Sequence, residues 1–216
     1  MEAQDAYESR QSTGGEVRVE RRDAAANRER VLAAARRLFA AQGANAVSMN
    51  EIARAAGVGP GTLYRRYPHK AALCAALLED GMVQFRADIA GLVAADGLAL
   101  PRLAAVLTRI VAFTEEHEPL LGAMADAVCG DRPRSTSIFD GPIYHWLYDA
   151  TCHLLDEAMR SGECVPLDVP WCADALLALL AIDLYRYQRQ VRGFTPERIL
   201  AAAHQLLARL GTAPVR

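Results

Sequence analysis

The 216-residue sequence contains no apolar run approaching the ~18 residues that a membrane-spanning helix requires, so no membrane partner is expected. Its first ten residues, MEAQDAYESR, are acidic and polar and lack the apolar core of a signal peptide. Aromatic residues supply only 6% of the chain. The five cysteines, Cys74, Cys129, Cys152, Cys164 and Cys172, are odd in number and widely spaced, and no two form a C-x-x-C pair. That pattern argues against a disulfide framework and predicts reduced thiols in a cytoplasmic protein. No convincing strand is present, hence no glycine-rich phosphate loop following one. There is also no G-x-S-x-G and no H-E-x-x-H. No catalytic residue, cofactor or metal site is therefore expected, and the chain does not read as an enzyme.

Hydrophobic residues make up 52% of the chain, with alanine and leucine prominent, which predicts an all-α protein with a real core. The length fits one large domain or two small ones. The net charge of −2 hides an uneven distribution. From Arg21 to Lys70 there are ten Lys and Arg against three Asp and Glu, which leaves 14 basic and 23 acidic residues for the rest. A basic N-terminal quarter on an acidic body fits a segment that meets a polyanion, or a solvated helix face. Residues 1–23 lack helical periodicity and read as a disordered tail. Arg18, Arg21 and Arg22 at its end would serve as a phosphate-contacting arm or remain solvated.

Helical spacing starts at Asn27, with Val31, Leu32, Ala35, Leu38 and Phe39 on one face and Gly43 as a left-handed stop. Ser48 and Glu51 have capping-box spacing, and Val47 and Ile52 sit where a hydrophobic staple belongs. Gly57 ends this helix after about two turns. In "GVGPGTLYRRYPHK", Gly59 takes the cap and Pro60 the first helical position, where its missing N–H costs nothing. Leu63 and Tyr67 face inward, leaving Thr62, Tyr64, Arg65 and Arg66 outward, and Pro68 stops the segment. Two short helices joined by a tight glycine turn make a helix-turn-helix, whose second helix need only be long enough to enter a major groove.

Residues from about Asn27 to Glu79 resemble the N-terminal domain of the TetR family of bacterial transcriptional repressors. The signature comprises Leu38-Phe39, Gly43, Ser48, Ile52-Ala53, Ala56-Gly57-Val58, Gly61-Thr62-Leu63-Tyr64, Tyr67, Lys70 and Leu73. The resemblance implies a domain that binds double-stranded operator DNA and a helical C-terminal body that dimerises and senses a small molecule. By position, Ser48 would meet a phosphate and Asn50 a base edge. Pro60, Gly61 and Thr62 would lie against bases, Tyr64 against backbone or base, and Lys70 against a phosphate. Arg65 and Arg66 occupy positions that vary in the family and set specificity. His69 stands where the family often has Ser, Thr or Asn, which predicts a weaker local cap.

The implied organisation is a tail at 1–23, a helix-turn-helix domain at 24–70 and a sensing and dimerising body at 71–213. The periodicity predicts one helix from Ala71 to Val93, joining head to body, and another from Pro101 ended by "EEHEP". "EEHE" at 115–118 reads as a solvated helix end. A shorter helix over Leu120–Val128, the loop GDRPRSTS and a helix from Ile143 to Arg160 follow. The stretch "DVPWCADALLALLAIDLYRY" reads as one helix, capped by Asp168, apolar nearly all round and buried on two sides. A last helix follows Thr195 and Pro196. The resemblance places the dimer on these two helices, through Leu176, Leu177, Leu180, Leu184, Ile199, Ala203, Leu206, Leu207 and Leu210. The alternative is plain intrachain core. Phe85, Phe113, His117, Met124, Tyr144, His145, Trp146, Tyr148 and Trp171 would wall a ligand pocket or simply fill the core. His145 and Cys152 share a helix face, as a metal pair or as packing. The function expected is a homodimeric repressor of a palindromic operator, released by an unidentified small molecule. The alternative is a helical small-molecule-binding protein or enzyme in which the helix-turn-helix is only a scaffold.

Overall fold

The structure is a computed structural model that describes residues 23–131, 139 and 141–211. The expected tail before residue 23 and most of the loop 130–137 lie outside these residues. As expected, the fold is all-α. Among the described residues extended pairing is limited to one bridge between Cys164 and Gly211. The chain divides into two compact units between Leu77 and Leu78.

The first unit holds α1 (residues 23–42), α2 (Met49–Ala56), α3 (Pro60–Arg66) and α4 (Lys70–Leu77). Residue 23 is thus already helical. Val31, Leu32, Ala35 and Phe39 of α1, Ile52 and Ala53 of α2, Leu63 of α3 and Leu73 and Leu77 of α4 are buried. Helices this short have little stability alone, so this apolar packing holds them. The Cys74 thiol is buried too, and desolvation pushes its pKa up to about 11.

The second unit holds α5 (Glu79–Ala94), α6 (Ala99–Asp131), α7 (Pro142–Ser161), α8 (Val169–Ala178), α9 (Ile182–Gln190) and α10 (Pro196–Leu210). Its core gathers Phe85, Ile89, Leu103, Leu107, Leu154, Leu155, Leu177 and Leu207. Gly162 ends α7 in the left-handed conformation, and the Asp168 and Thr195 side chains cap α8 and α10. Glu163 reaches from the end of α7 to the start of α6, accepting from Ala99 N and Leu100 N at 2.9 Å each.

Three expected boundaries need correction. The helix expected over Ala71–Val93 is broken at Leu78, between α4 and α5. The helix expected to end at "EEHEP" instead runs on to Asp131 with Pro119 inside it. An interior proline costs a helix ~3 kcal/mol. Burial of Phe113, Thr114, Ala123 and Ala125 on either side, with ion pairs from α9, offsets that. "EEHE" is accordingly no solvated end. Glu115 accepts from the Tyr185 hydroxyl at 2.7 Å and from Arg189 Nε at 3.0 Å, while Glu118 lies 3.1 Å from Arg186 Nε. The third correction is at Leu179–Ala181, where the helix after Asp168 breaks into α8 and α9 without glycine or proline. The break lets three consecutive residues, Leu180, Ala181 and Ile182, line one cavity. In a continuous helix they would point 100° apart.

Candidate nucleic-acid interface

The turn between α2 and α3 is fixed at both ends by local hydrogen bonds. Ser48 Oγ accepts from Glu51 N at 3.2 Å, and Glu51 Oε2 accepts from Ser48 N at 2.7 Å, closing the expected capping box. The Ser48 hydroxyl and backbone hold the Glu51 carboxyl below the usual glutamate range. At the other end Gly57 adopts φ 64°, where a β-carbon would be strained. Its N–H donates to Arg54 O at 3.2 Å and that of Val58 to Ala53 O at 3.0 Å. Gly59 then caps α3 with Pro60 at its start, and Leu63 N donates to Gly59 O at 3.1 Å.

Leu63 and Tyr67 are buried and anchor α3, as their spacing predicts. The buried Tyr67 hydroxyl has no hydrogen-bond partner among the described residues. On the opposite side Pro60, Gly61, Thr62, Tyr64, Arg65 and Arg66 are all exposed, as are Ser48 and Asn50 of α2. Neither Arg65 nor Arg66 forms an ion pair among the described residues, so their charge is available to an anion. A seven-residue helix thus presents a hydroxyl, a phenol and two guanidinium groups from a backbone pinned by two side chains.

Lys70 is placed differently from a free surface lysine. It is the only lysine of the chain, is half-buried, and its Nζ donates to Ala44 O at 2.9 Å and Asn45 O at 3.1 Å. It therefore ties the start of α4 to the turn between α1 and α2. Its neighbour caps the start of α4 from its side chain. His69 Nδ1 accepts from Ala72 N at 3.1 Å, so the imidazole performs the capping that Ser, Thr or Asn would perform elsewhere.

Residues 31–77 match the family model described as bacterial regulatory proteins, tetR family. Over these residues the chain is similar to the DNA-binding domain of the TetR family. An HTH-type transcriptional regulator of Staphylococcus aureus (strain USA300) is 46% identical over 54 residues, 25% of this chain and 29% of that protein. The chain thus spans under a third of the length of the curated relatives it matches. A solved TetR-family regulatory protein from Rhodococcus RHA1 aligns over 87% of this chain and 98% of its own, at 25% identity and a TM-score of 0.63. Thermus thermophilus FadR, a TetR-family transcriptional repressor solved with lauroyl-CoA, shares the fold at 23% identity and a TM-score of 0.65, over 88% and 98% of the two chains. The matched domain is that of DNA-binding transcriptional regulators, and the fold is shared with solved proteins described as TetR-family regulators.

In the second unit a cavity of about 190 Å³ opens among α5, α6, α7, α8 and the start of α9. Of the expected wall residues, Phe85, Phe113 and Tyr144 line it. His117, Met124, His145, Trp146, Tyr148 and Trp171 do not. His117 packs edge-on to Phe113 at 4.5 Å, and Trp146 edge-on to Phe85 at 6.3 Å. Met124 packs against the core, His145 is exposed, and Trp171 is 69% exposed on α8. Tyr148 and Cys152, one turn apart on α7, interact through their side chains. Most of the remaining lining is aliphatic: Met82, Ile110, Leu147 and Ile182 are examples. No sequence signal separates such residues from core, because both are apolar at helical spacing.

The dimer residues also divide. Leu176, Leu177, Leu180, Ile199, Ala203 and Leu207 are buried within the single chain, in its own core. A side chain already packed against its own core has no apolar area left to offer a partner. Leu184 and Leu206 are exposed, and Leu210 is half-buried. Tyr187 and Val191 join Leu184 at i+3 and i+7, giving α9 an exposed apolar stripe that residue spacing alone did not disclose.

Proposed function

We propose that the protein is a homodimeric transcriptional repressor that binds a roughly palindromic operator through α2 and α3 and is released by a small molecule. The observation that carries the reading is the exposed face of α3, Thr62, Tyr64, Arg65 and Arg66, held rigid from behind by Leu63 and Tyr67. Pro60, Gly61 and Thr62 approach bases at the start of that helix. Arg65 and Arg66 read guanine edges, Asn50 a base edge, and Ser48 and Tyr64 the backbone. Two of Lys70's three protons go to carbonyls, which leaves one for a phosphate. In a dimer the two α3 helices enter successive major grooves ~34–36 Å apart, or a multiple of that.

The exposed stripe Leu184, Tyr187 and Val191 on α9, with Leu206 on α10, supplies the two-fold contact. The cavity of the second unit supplies the sensing site, and the lauroyl-CoA complex of a fold neighbour supports a small-molecule switch. A redox switch is less well supported. Burial pushes up the thiols of Cys74, Cys152, Cys164 and Cys172, leaving little thiolate at neutral pH. Ligand and operator are then negatively coupled, and by linkage each weakens the other equally, typically ~5- to 150-fold.

The test is genome-wide mapping of bound sites followed by mobility shifts on the recovered operator. Arg65→Ala and Arg66→Ala are expected to relax discrimination at single base pairs, by ~1–3 kcal/mol for each bidentate arginine–guanine pair removed. Absence of any site preferred over bulk DNA would leave the helix-turn-helix as a scaffold.

A further inference from the structure

We propose that the cavity of the second unit takes an uncharged single-ring ligand: an aromatic or alicyclic hydrocarbon bearing at most a short apolar substituent. As the identity of the effector, this rests on the ligand-switched reading above. As a statement about binding, it rests on the cavity alone.

Size sets the first limit. Sites for drug-sized ligands run from ~300 Å³ upward. An apolar void of about 150 Å³ already takes up benzene. At about 190 Å³ this cavity suits a ring and a small substituent, and holds too little space to enclose a long acyl chain.

Charge sets the second limit. Among the described residues no lining side chain carries a charge at neutral pH. The lining hydroxyls are already engaged. Thr114 donates to Ile110 O at 2.9 Å, and Tyr144 donates to the Asp174 carboxylate. Burial, reinforced by Asp174, holds the Tyr144 phenol protonated well above its ordinary range. The charge at that edge of the cavity is therefore negative and would repel an anionic ligand. One cation does touch the lining rings: Arg109 lies 5.3 Å from the Phe85 centroid and 5.7 Å from that of Phe113. It is not itself a lining residue, and its Nε is bound to Asp88 Oδ2 at 2.7 Å. A carboxylate drawn in among these side chains would meet no counter-charge from the described lining, so its desolvation would go uncompensated.

Shape sets the third. Phe85 and Phe113 meet at 4.5 Å with their planes tilted by 34°, so faces and edges are both presented to the space they border. Aromatic rings pack on one another in such tilted and edge-on arrangements. Met82, unbranched and polarizable, gives the wall the freedom to close around rings of slightly different outline.

The chain contains its own reporter. Trp146 packs edge-on to Phe85, and Trp171, the only other tryptophan, is exposed. In full-length Trp171→Phe protein, toluene and cyclohexane are titrated against Trp146 fluorescence, thermal midpoint and calorimetry. Both are expected to bind one per chain and to raise the midpoint. Benzoate, the same ring with a charge, and lauroyl-CoA are expected to bind at least about 100-fold more weakly. Ala181→Leu, which fills the cavity from its wall, is expected to abolish toluene binding while cooperative unfolding is kept. Ile182→Phe serves the same purpose if Ala181→Leu does not fold. The proposal is overturned if neither neutral ring binds, if benzoate or lauroyl-CoA binds as tightly as toluene, or if toluene binding survives both filled variants. Operator release is measured separately by mobility shift. Toluene that binds as expected and leaves operator affinity unchanged supports the ligand class and overturns the ligand-switched reading. Release by an anionic compound through this cavity supports the switch and overturns the ligand class.

Discussion

Arg186 lies across Gly122, so close that a β-carbon at position 122 would come within 3.0 Å of the guanidinium carbon. The guanidinium has little room to retreat, because Asp126 holds Nη1 at 2.8 Å and Glu118 lies 3.1 Å from Nε. This is the point where α9 clips onto α6. Alanine in place of an interior helical glycine normally gains up to ~1 kcal/mol. Here Gly122→Ala is expected to destabilise the chain, since it must displace a doubly anchored arginine. In an Arg186→Ala background the same substitution is expected to stabilise, by up to that ~1 kcal/mol. Urea unfolding of the two single variants and the double variant measures the sign change. Equal effects of Gly122→Ala in both backgrounds would show that the close approach does not matter.

The capping box makes the first unit acid-sensitive. Ionised Glu51 accepts from the Ser48 backbone N–H and hydroxyl, each at 2.7 Å, and its pKa is held below the ordinary value. A depressed carboxyl contributes stability that is fully present above the unfolded glutamate value of ~4.3. That stability is lost as pH falls through the lower folded value. The protection factors of α2 amides against hydrogen exchange are expected to fall in this acid range in wild-type protein. Glu51→Gln, which cannot titrate, is expected to flatten that response, and Ser48→Ala to cost ~1 kcal/mol at neutral pH. Parallel acid profiles for wild type and Glu51→Gln would remove the carboxylate from this role.

What the sequence disclosed, and what it hid, follows from the range of the interactions. The Ser48–Glu51 box, the Gly57 stop and the Gly59–Pro60 start are each decided within four residues, so spacing alone predicts them. The α8–α9 break at Leu179–Ala181 has no local breaker, and only contact with α5, α6 and α7 explains it. Pro119 shows the converse, a strong local breaker overridden by packing and by the ion pairs of Glu115 and Glu118. Leu177 and Leu184 look alike in a helix that is apolar nearly all round. One is core and the other surface because the break at Leu179–Ala181 removes the helical register that would put both on one face. The cavity is the least legible feature, since its lining is mostly the ordinary aliphatic residues of a core.

Lys70 joins two roles that its variants can separate. Its two bonds to Ala44 O and Asn45 O are charge-assisted, a class worth ~1.5–3 kcal/mol each. Lys70→Met is expected to lower the stability of the first unit. It is also expected to flatten the log–log salt dependence of DNA binding by ~0.9 per subunit, for one phosphate neutralised. Lys70→Arg keeps the charge but not a compact ammonium, so it is expected to retain the salt slope while losing part of the stability. A salt slope unchanged in Lys70→Met would confine Lys70 to the structural role.

The burial pattern separates substitutions that break a dimer from substitutions that unfold the chain. Leu184 and Leu206 are exposed in the single chain, and Leu184 sits on the stripe with Tyr187 and Val191. Arginine there finds water in the monomer and desolvation only at an interface. Leu184→Arg and Leu206→Arg are therefore expected to give folded monomers with native unfolding cooperativity. Leu177 and Leu207 are buried in the chain's own core, so arginine at either position places an unpaired charge there and is expected to prevent folding. The operator affinity follows from the same change. A monomer engages one half-site at a time and forgoes the effective concentration that links the two, so its operator affinity is expected to fall by ~10²-fold or more. Sedimentation, circular dichroism and mobility shifts on the four variants read these outcomes. Dimers that persist in both Leu184→Arg and Leu206→Arg would move the two-fold contact off the exposed faces of α9 and α10.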